Sequence, residues 1–162
     1  MAELLVDALW LGVGATAFTD VVALAQRRVL GIPSLDYALV GRWLGHLAGG
    51  TVVHRPISGS APIRAEAALG WTFHYLTGVV FALVFLVLVG SDWQQRPAFV
   101  SALVFGVVTV LAPFLVLQPG LGAGIAARRT PQPNIARLRS LTAHASFGIG
   151  LWVSGLGGML AF

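Results

Sequence analysis

The chain has no cysteine and no lysine, and it carries little charge of either sign. Without cysteine it can form no disulfide, thiolate metal site, cysteine nucleophile or covalently attached c-type haem. Without lysine, all ten basic residues are arginine, which a GC-rich genome explains more simply than selection for guanidinium at every position. Charged side chains are 10% of the 162 residues, where a soluble domain carries about 25%. Apolar residues reach 57% and the mean hydropathy is +0.84. A chain with so little charge reads as an integral membrane protein, and its length allows one domain with no separate soluble module. The isoelectric point near 11.1 suggests nucleic acid at first sight. The arginines flank apolar runs, however, so anionic lipid headgroups and membrane topology explain them better, and no nucleic-acid partner is expected.

What is present is a set of apolar runs long enough to cross a bilayer. Four transmembrane helices are predicted, at about 4–30, 65–90, 97–118 and 134–162, forming an all-α, up-down-up-down bundle. The first is not a cleaved signal peptide, because its start carries Glu3 and Asp7 and its apolar run is too long. Between the first two spans, Gly31-Ile32-Pro33 stops the helix and Ser34 offers an N-cap, with Asp36 in the following turn. A short interfacial helix then fits as far as Ala48, with Tyr37, Val40, Leu44 and Leu47 as its stripe and Arg42 and His46 away from it. Residues from His54 to Pro62 read as a loop. Pro113 removes a hydrogen bond from the third span and should kink it.

Unequal loops make the orientation readable. Arg42, Arg55 and Arg64 lie between the first and second spans, with Arg27 and Arg28 beside them. Arg128, Arg129, Arg137 and Arg139 lie between or at the start of the last two. The middle turn has only Arg96. The positive-inside rule places both long loops in the cytoplasm and both termini outside. Trp10, Trp93 and Trp152 then fall toward the outer face, and Trp43 and Trp71 toward the inner one. A faint repeat accompanies this: Gly14 to Gln26 and Gly106 to Gln118 share a spacing, as do His74-x-x-x-Gly78 and His144-x-x-x-Gly148. Parallel-repeat transporters would produce such a pattern, and so would chance in a biased composition.

Ionisable residues inside membrane helices are functional candidates by default. At about 1.5 Å of rise per residue, Asp20 lies about 10 Å outward from Arg27, His74 about 12 Å inside Glu66 and His144 about 8 Å inside Arg139. Pro113 lies about 8 Å inside Gln118 on the same rise. Three spans thus bring an ionisable group, and the fourth its kink, to one cytoplasmic level. The candidate ligand-binding or proton-coupling residues are Asp20, His74, His144, Arg42, His46, Tyr75, Gln118 and Arg139. The plainer readings are that Thr16 caps Asp20, that Asp20 pairs with Arg42 or Arg139, that His74 bonds a carbonyl freed by Pro113 such as that of Thr109, and that His144 is merely solvated. Thr142, Ser146, Gly150, Ser154 and Gly158 recur every four residues, a small-residue stripe that lets a neighbouring helix approach closely. His144 and Gly148 face away from it. That neighbour is an internal span or, through Ser146, Gly150, Ser154 and Gly158, a second copy in a homodimer. Gly120-Leu121-Gly122-Ala123-Gly124 with Arg128 and Arg129 invites a phosphate-binding reading. No strand precedes it and no Gly-Lys-Ser/Thr follows, so a loop beside lipid headgroups is expected, with arginine contacts to an anionic ligand in reserve.

These motifs together resemble one family. They are Gly31-Ile32-Pro33-Ser34 with Tyr37, Val40-Gly41-Arg42-Trp43-Leu44-Gly45-His46, Leu69-Gly70-Trp71 with His74-Tyr75, Ala112-Pro113-Phe114 with Gln118-Pro119-Gly120, and Arg129-Thr130-Pro131 with His144. They are similar to the uncharacterised bacterial membrane family known as domain of unknown function 2938, over nearly the whole chain. The resemblance implies a multi-pass protein of the bacterial inner membrane with four helices. It implies no activity, so no functional residue is carried over from it.

Three functions fit the residues. The first is proton-coupled or small-molecule transport or binding, with Asp20 and His74 as the coupling groups and a homodimer expected because four spans are few for a pore. The second is a haem b or metal protein, with His74 and His144 as axial ligands or, with Asp20, a two-histidine, one-carboxylate metal site. The third is an accessory subunit of a membrane complex. An enzyme ranks last, because no nucleophile-base motif is present.

Overall fold

The computed structural model describes residues 2–161, and among these it contains helices and turns and no strand. Five helices carry the chain: α1 Ala2–Leu30, α2 Tyr37–Ala48, α3 Glu66–Val89, α4 Phe99–Gly120 and α5 Pro133–Ala161. Each starts and stops for a local reason. Helix α1 has Glu3 in its first turn and Arg27 and Arg28 in its last, the charge placement its dipole favours. It ends at Gly31, whose φ of 66° is left-handed backbone that glycine adopts without strain. Helix α2 is capped by Asp36, whose side chain accepts from the Ala38 N–H, and Ser34 does not cap it. Asp36 itself holds the extended backbone of a cap, directly before the first helical residue.

Pro113 acts as expected, with a refinement. Helix α4 breaks at Thr109–Val110 and resumes with a π turn over Pro113–Leu117. A proline at 113 cannot donate to the Thr109 carbonyl one turn earlier, so the irregularity spreads over both sides of it.

Three helices, α1, α3 and α4, are long and apolar enough to cross a membrane. Only 28%, 22% and 22% of their most apolar windows is buried inside the protein, so most of that apolar surface is left exposed. Helix α5 has the length but not the hydropathy, because His144, Ser140, Ser146, Ser154 and a series of glycines dilute it.

The chain forms two compact units. The first comprises residues 2–34, 75–109 and 142–161. Its core holds Leu11, Ala15, Ala82, Phe85, Leu86, Ala102, Phe147 and Leu151. Phe85 packs on Trp93 and Phe105, and Phe81 on Phe147, with ring centres 4.8, 5.1 and 6.1 Å apart. Helices come close where side chains vanish. A Cβ on Gly106 would lie 2.5 Å from the Gly148 Cα, so α4 and α5 meet backbone to backbone. Gly12 meets Gly78 and Val79 in the same way where α1 crosses α3. The small-residue stripe of α5 faces α1 of the same chain: Gly150 lies on Ala15, and Ser154 lies on Gly14 and accepts from the Trp10 indole at its carbonyl. His144 and Gly148 occupy the other face, toward α4, as their spacing predicts. The paired spacings Gly14 and Gly106 are not equivalent in space, since one meets Ser154 and the other Gly148.

The second unit comprises Leu35–His74 and Val110–Leu141. Helix α2 crosses the start of α3 at Gly41 and Gly70, where a Cβ on either glycine would overlap the other helix's backbone, at Glu66 and Tyr37 respectively. This contact reassigns the faces of α2. The buried residues are Val40, Gly41 and Trp43, while Leu47 is exposed, because the glycine and not the leucine stripe sets the approach. Trp43 lies under Gly120 and donates to the Val52 carbonyl at 2.9 Å. The segment after α2 is pinned to the end of α4 by His54 N–H to Gly120 O and Ile57 N–H to Leu121 O.

Candidate functional site

In the first unit, two helices bring ionisable groups to hydroxyls on a neighbour. Tyr75 on α3 donates its hydroxyl to an Asp20 carboxylate oxygen on α1 at 3.0 Å. Asp20 is therefore not capped by Thr16, whose hydroxyl donates to the Gly12 carbonyl one turn back.

His144 on α5 meets Thr109 on α4, with Nδ1 and Oγ1 2.8 Å apart. The Thr109 hydroxyl also lies 2.6 Å from the Gly106 carbonyl, which can only accept. Its single hydrogen goes there, so toward His144 it accepts, and Nδ1 carries a proton. The reading of His74 on a carbonyl freed by Pro113 is a different contact: at Thr109 it is His144 that bonds, and to the threonine hydroxyl.

In the second unit, His74 packs against two aromatic rings that also touch each other. Its Nε2 lies 3.1 Å from the Tyr37 hydroxyl, and its ring centre is 4.3 Å from that of Tyr37 and 5.7 Å from that of Trp71. Arg42 makes a two-pronged pair with Glu66, Nε to Oε2 at 2.9 Å and Nη2 to Oε1 at 2.8 Å. Its Nη1 reaches the Ser60 carbonyl at 3.2 Å, while Glu66 also accepts from the Ile63 N–H. The Glu66 carboxylate, by its hydrogen bond to the guanidinium, raises the Arg42 pKa above its ordinary value. This cluster holds α2, the following segment and the start of α3 together. Gln118 donates to the Ser140 hydroxyl at 3.0 Å, His46 meets the Ala61 carbonyl at 2.8 Å, and Arg139 is exposed.

Of the candidates, Asp20 is thus joined to Tyr75, while His144, His74, Arg42 and Gln118 each take a partner outside the candidate set. Glu66, Tyr37 and the Thr109 hydroxyl were missed as partners. An acidic residue opening a helix, a threonine one turn before a proline and a tyrosine at a helix start all have commoner local roles. Among the described residues no three of His, Asp and Glu are grouped to hold a metal ion. The Gly120–Gly124 segment is likewise occupied by its own backbone: Gly122 N–H bonds Pro119 O, Ala123 N–H bonds Gln118 O, and Arg129 N–H bonds Ala123 O. Gly122 is there because the His54 carbonyl stands against it.

An all-helical chain whose apolar helices keep polar pairs between them belongs to the class of membrane-compatible helical proteins. More particularly, the chain belongs to the family described as protein of unknown function (DUF2938), whose model matches residues 9–157. No curated protein matches the chain, and no solved structure does.

Proposed function

We propose that this is a four-span membrane protein, with α5 as the fourth span and both arginine-rich loops in the cytoplasm, that binds or carries protons with or without a small solute. The observation that carries the reading is the Asp20–Tyr75 hydrogen bond between two helices apolar enough to cross a membrane. A charge in such surroundings is expensive, and it persists where it has work to do. The pair also suits proton exchange. A phenol donates to a carboxylate and can accept from a carboxylic acid, so the bond survives in both protonation states.

The test is flux in proteoliposomes loaded with a pH-sensitive dye, under an imposed membrane potential. Wild-type protein should acidify or alkalinise the lumen faster than empty liposomes do. Asp20→Asn should abolish the difference, and Tyr75→Phe should reduce it. Wild-type flux equal to that of empty liposomes, together with no binding across a broad solute panel, would sink the reading.

A further inference from the structure

His54 lies in the segment between α2 and α3 and is only 6% exposed. Its Nδ1 stands 3.2 Å from the Gly120 carbonyl. A carbonyl only accepts, so Nδ1 carries the proton and donates it. The other ring nitrogen, Nε2, is left with its lone pair, buried and without a hydrogen-bond partner. Buried polar atoms are nearly always satisfied, and an orphan calls for a cause such as a bound ion or water.

His46 on α2 repeats the arrangement with the nitrogens exchanged. Its Nε2 lies 2.8 Å from the Ala61 carbonyl, so Nε2 holds the proton and Nδ1 the lone pair. The two imidazoles are neighbours, with ring centres 5.2 Å apart and planes at 78°. Both rings are therefore fixed in one tautomer by a backbone carbonyl. That is how metal-binding histidines are usually held, since the outer bond orients the ring and raises the basicity of the free nitrogen. Two imidazoles bound to one ion at about 2.0–2.1 Å have ring centres about 4.5–6 Å apart, a range that includes the observed separation. Crossed planes are no obstacle, because each ring plane need contain only its own bond to the ion.

We propose that His46 Nδ1 and His54 Nε2 together bind a transition-metal ion of the imidazole-preferring class, with zinc as the reference case. Among the described residues no third His, Asp or Glu completes a set, so water or another small ligand fills the remaining positions. Both ligands are pre-positioned, His46 by the helix that Trp43 anchors and His54 by its own N–H bond to Gly120 at 3.0 Å. The ion would cross-link α2 to the segment that follows it. Neither residue enters the proton-carrying reading, so the two proposals succeed or fail separately.

The test uses the whole chain in detergent, stripped with a chelator. It is titrated with Zn2+ against a chromophoric competitor, and with Co2+ while visible absorption is followed. One ion per chain is expected. His46→Gln and His54→Gln should each weaken binding by more than the ~10-fold that losing an outer-shell partner costs at least, while His74→Gln binds as wild type does. Nitrogen NMR of the histidine side chains in the unsubstituted chain gives a reading independent of any folding defect: Zn2+ should shift the ring nitrogens of His46 and His54. No binding, binding that survives both substitutions, or shifts confined to other histidines would overturn the proposal. The rings would then be an edge-to-face pair with a water on Nε2.

Discussion

The two compact units share close backbone approach at glycine and differ in what is added to it. In the first, residues 2–34, 75–109 and 142–161, cohesion comes from close backbone approach at Gly12, Gly106, Gly148 and Gly150 and from an aromatic core. Side-chain bonds also cross between its helices, from Trp10 to Ser154, Tyr75 to Asp20 and His144 to Thr109. In the second, Leu35–His74 and Val110–Leu141, an ion pair and a web of bonds between side chains and backbone do the joining, around Arg42, Glu66, Trp43 and His54. The difference follows from the surroundings each sequence suits. Lipid tails are as apolar as leucine, so helices in a bilayer gain little by hiding leucine and gain by dispersion at short range. Loop-rich backbone, with no helical ladder of its own, must instead satisfy each N–H and C=O by name.

Glycine substitution should give the largest effects, and in both units alike. Gly106→Ala forces α4 from α5 and Gly41→Ala forces α2 from α3, because backbone stands where the methyl would go. Each should cost about 3 kcal/mol or more, the upper end of overpacking, read as a lowered thermal midpoint in detergent. Tolerance of alanine at Gly106 would break the claim that short-range packing holds the first unit.

The ion pair should separate the units. Glu66→Gln leaves Arg42 with a neutral partner and frees the Ser60–Ile63 stretch from one of its anchors. The expected result is faster tryptic cleavage than in the wild type at Arg55 and Arg64, a difference that narrows at high salt, which screens the wild-type pair, with cleavage elsewhere unchanged. Mass spectrometry of the fragments checks it, and equal acceleration at Arg27 or Arg28 would blur the distinction drawn between the units.

Thr109→Val should have the smallest effect. It removes the acceptor of His144 Nδ1 while keeping the shape, for a loss of ~1 kcal/mol, in line with hydrogen bonds between membrane helices. The same thermal scan measures it, and a loss as large as that of Gly106→Ala would mean that polar bonds govern the first unit too.

Much of the helical framework was legible from local chemistry. The predicted helices at 65–90 and 134–162 are found at Glu66–Val89 and Pro133–Ala161, the second not apolar enough to count as a span, because runs bounded by Gly, Pro and charge specify helices without reference to partners. The small-residue spacing on α5 separated the face toward α1 from the face toward α4 for the same reason. The candidate site was less legible. Asp20 and His144 were recognisable as costly residues in apolar helices, but their partners Tyr75 and Thr109 are set by which faces meet. His54 carried no signal at all, since a histidine beside an arginine in a loop looks solvated.

The sequence by itself determined where the helices lie, that the chain is apolar enough to suit a bilayer, and which family it belongs to, since composition, periodicity and motif are properties of the chain alone. Only the tertiary structure decided that Gly41 and Gly70, rather than the leucines, set the seat of α2, that Arg42 is committed to Glu66, and that His54 is buried beside His46. Those outcomes depend on close approach between segments far apart in the chain, and a residue's own type does not encode which distant backbone will come against it.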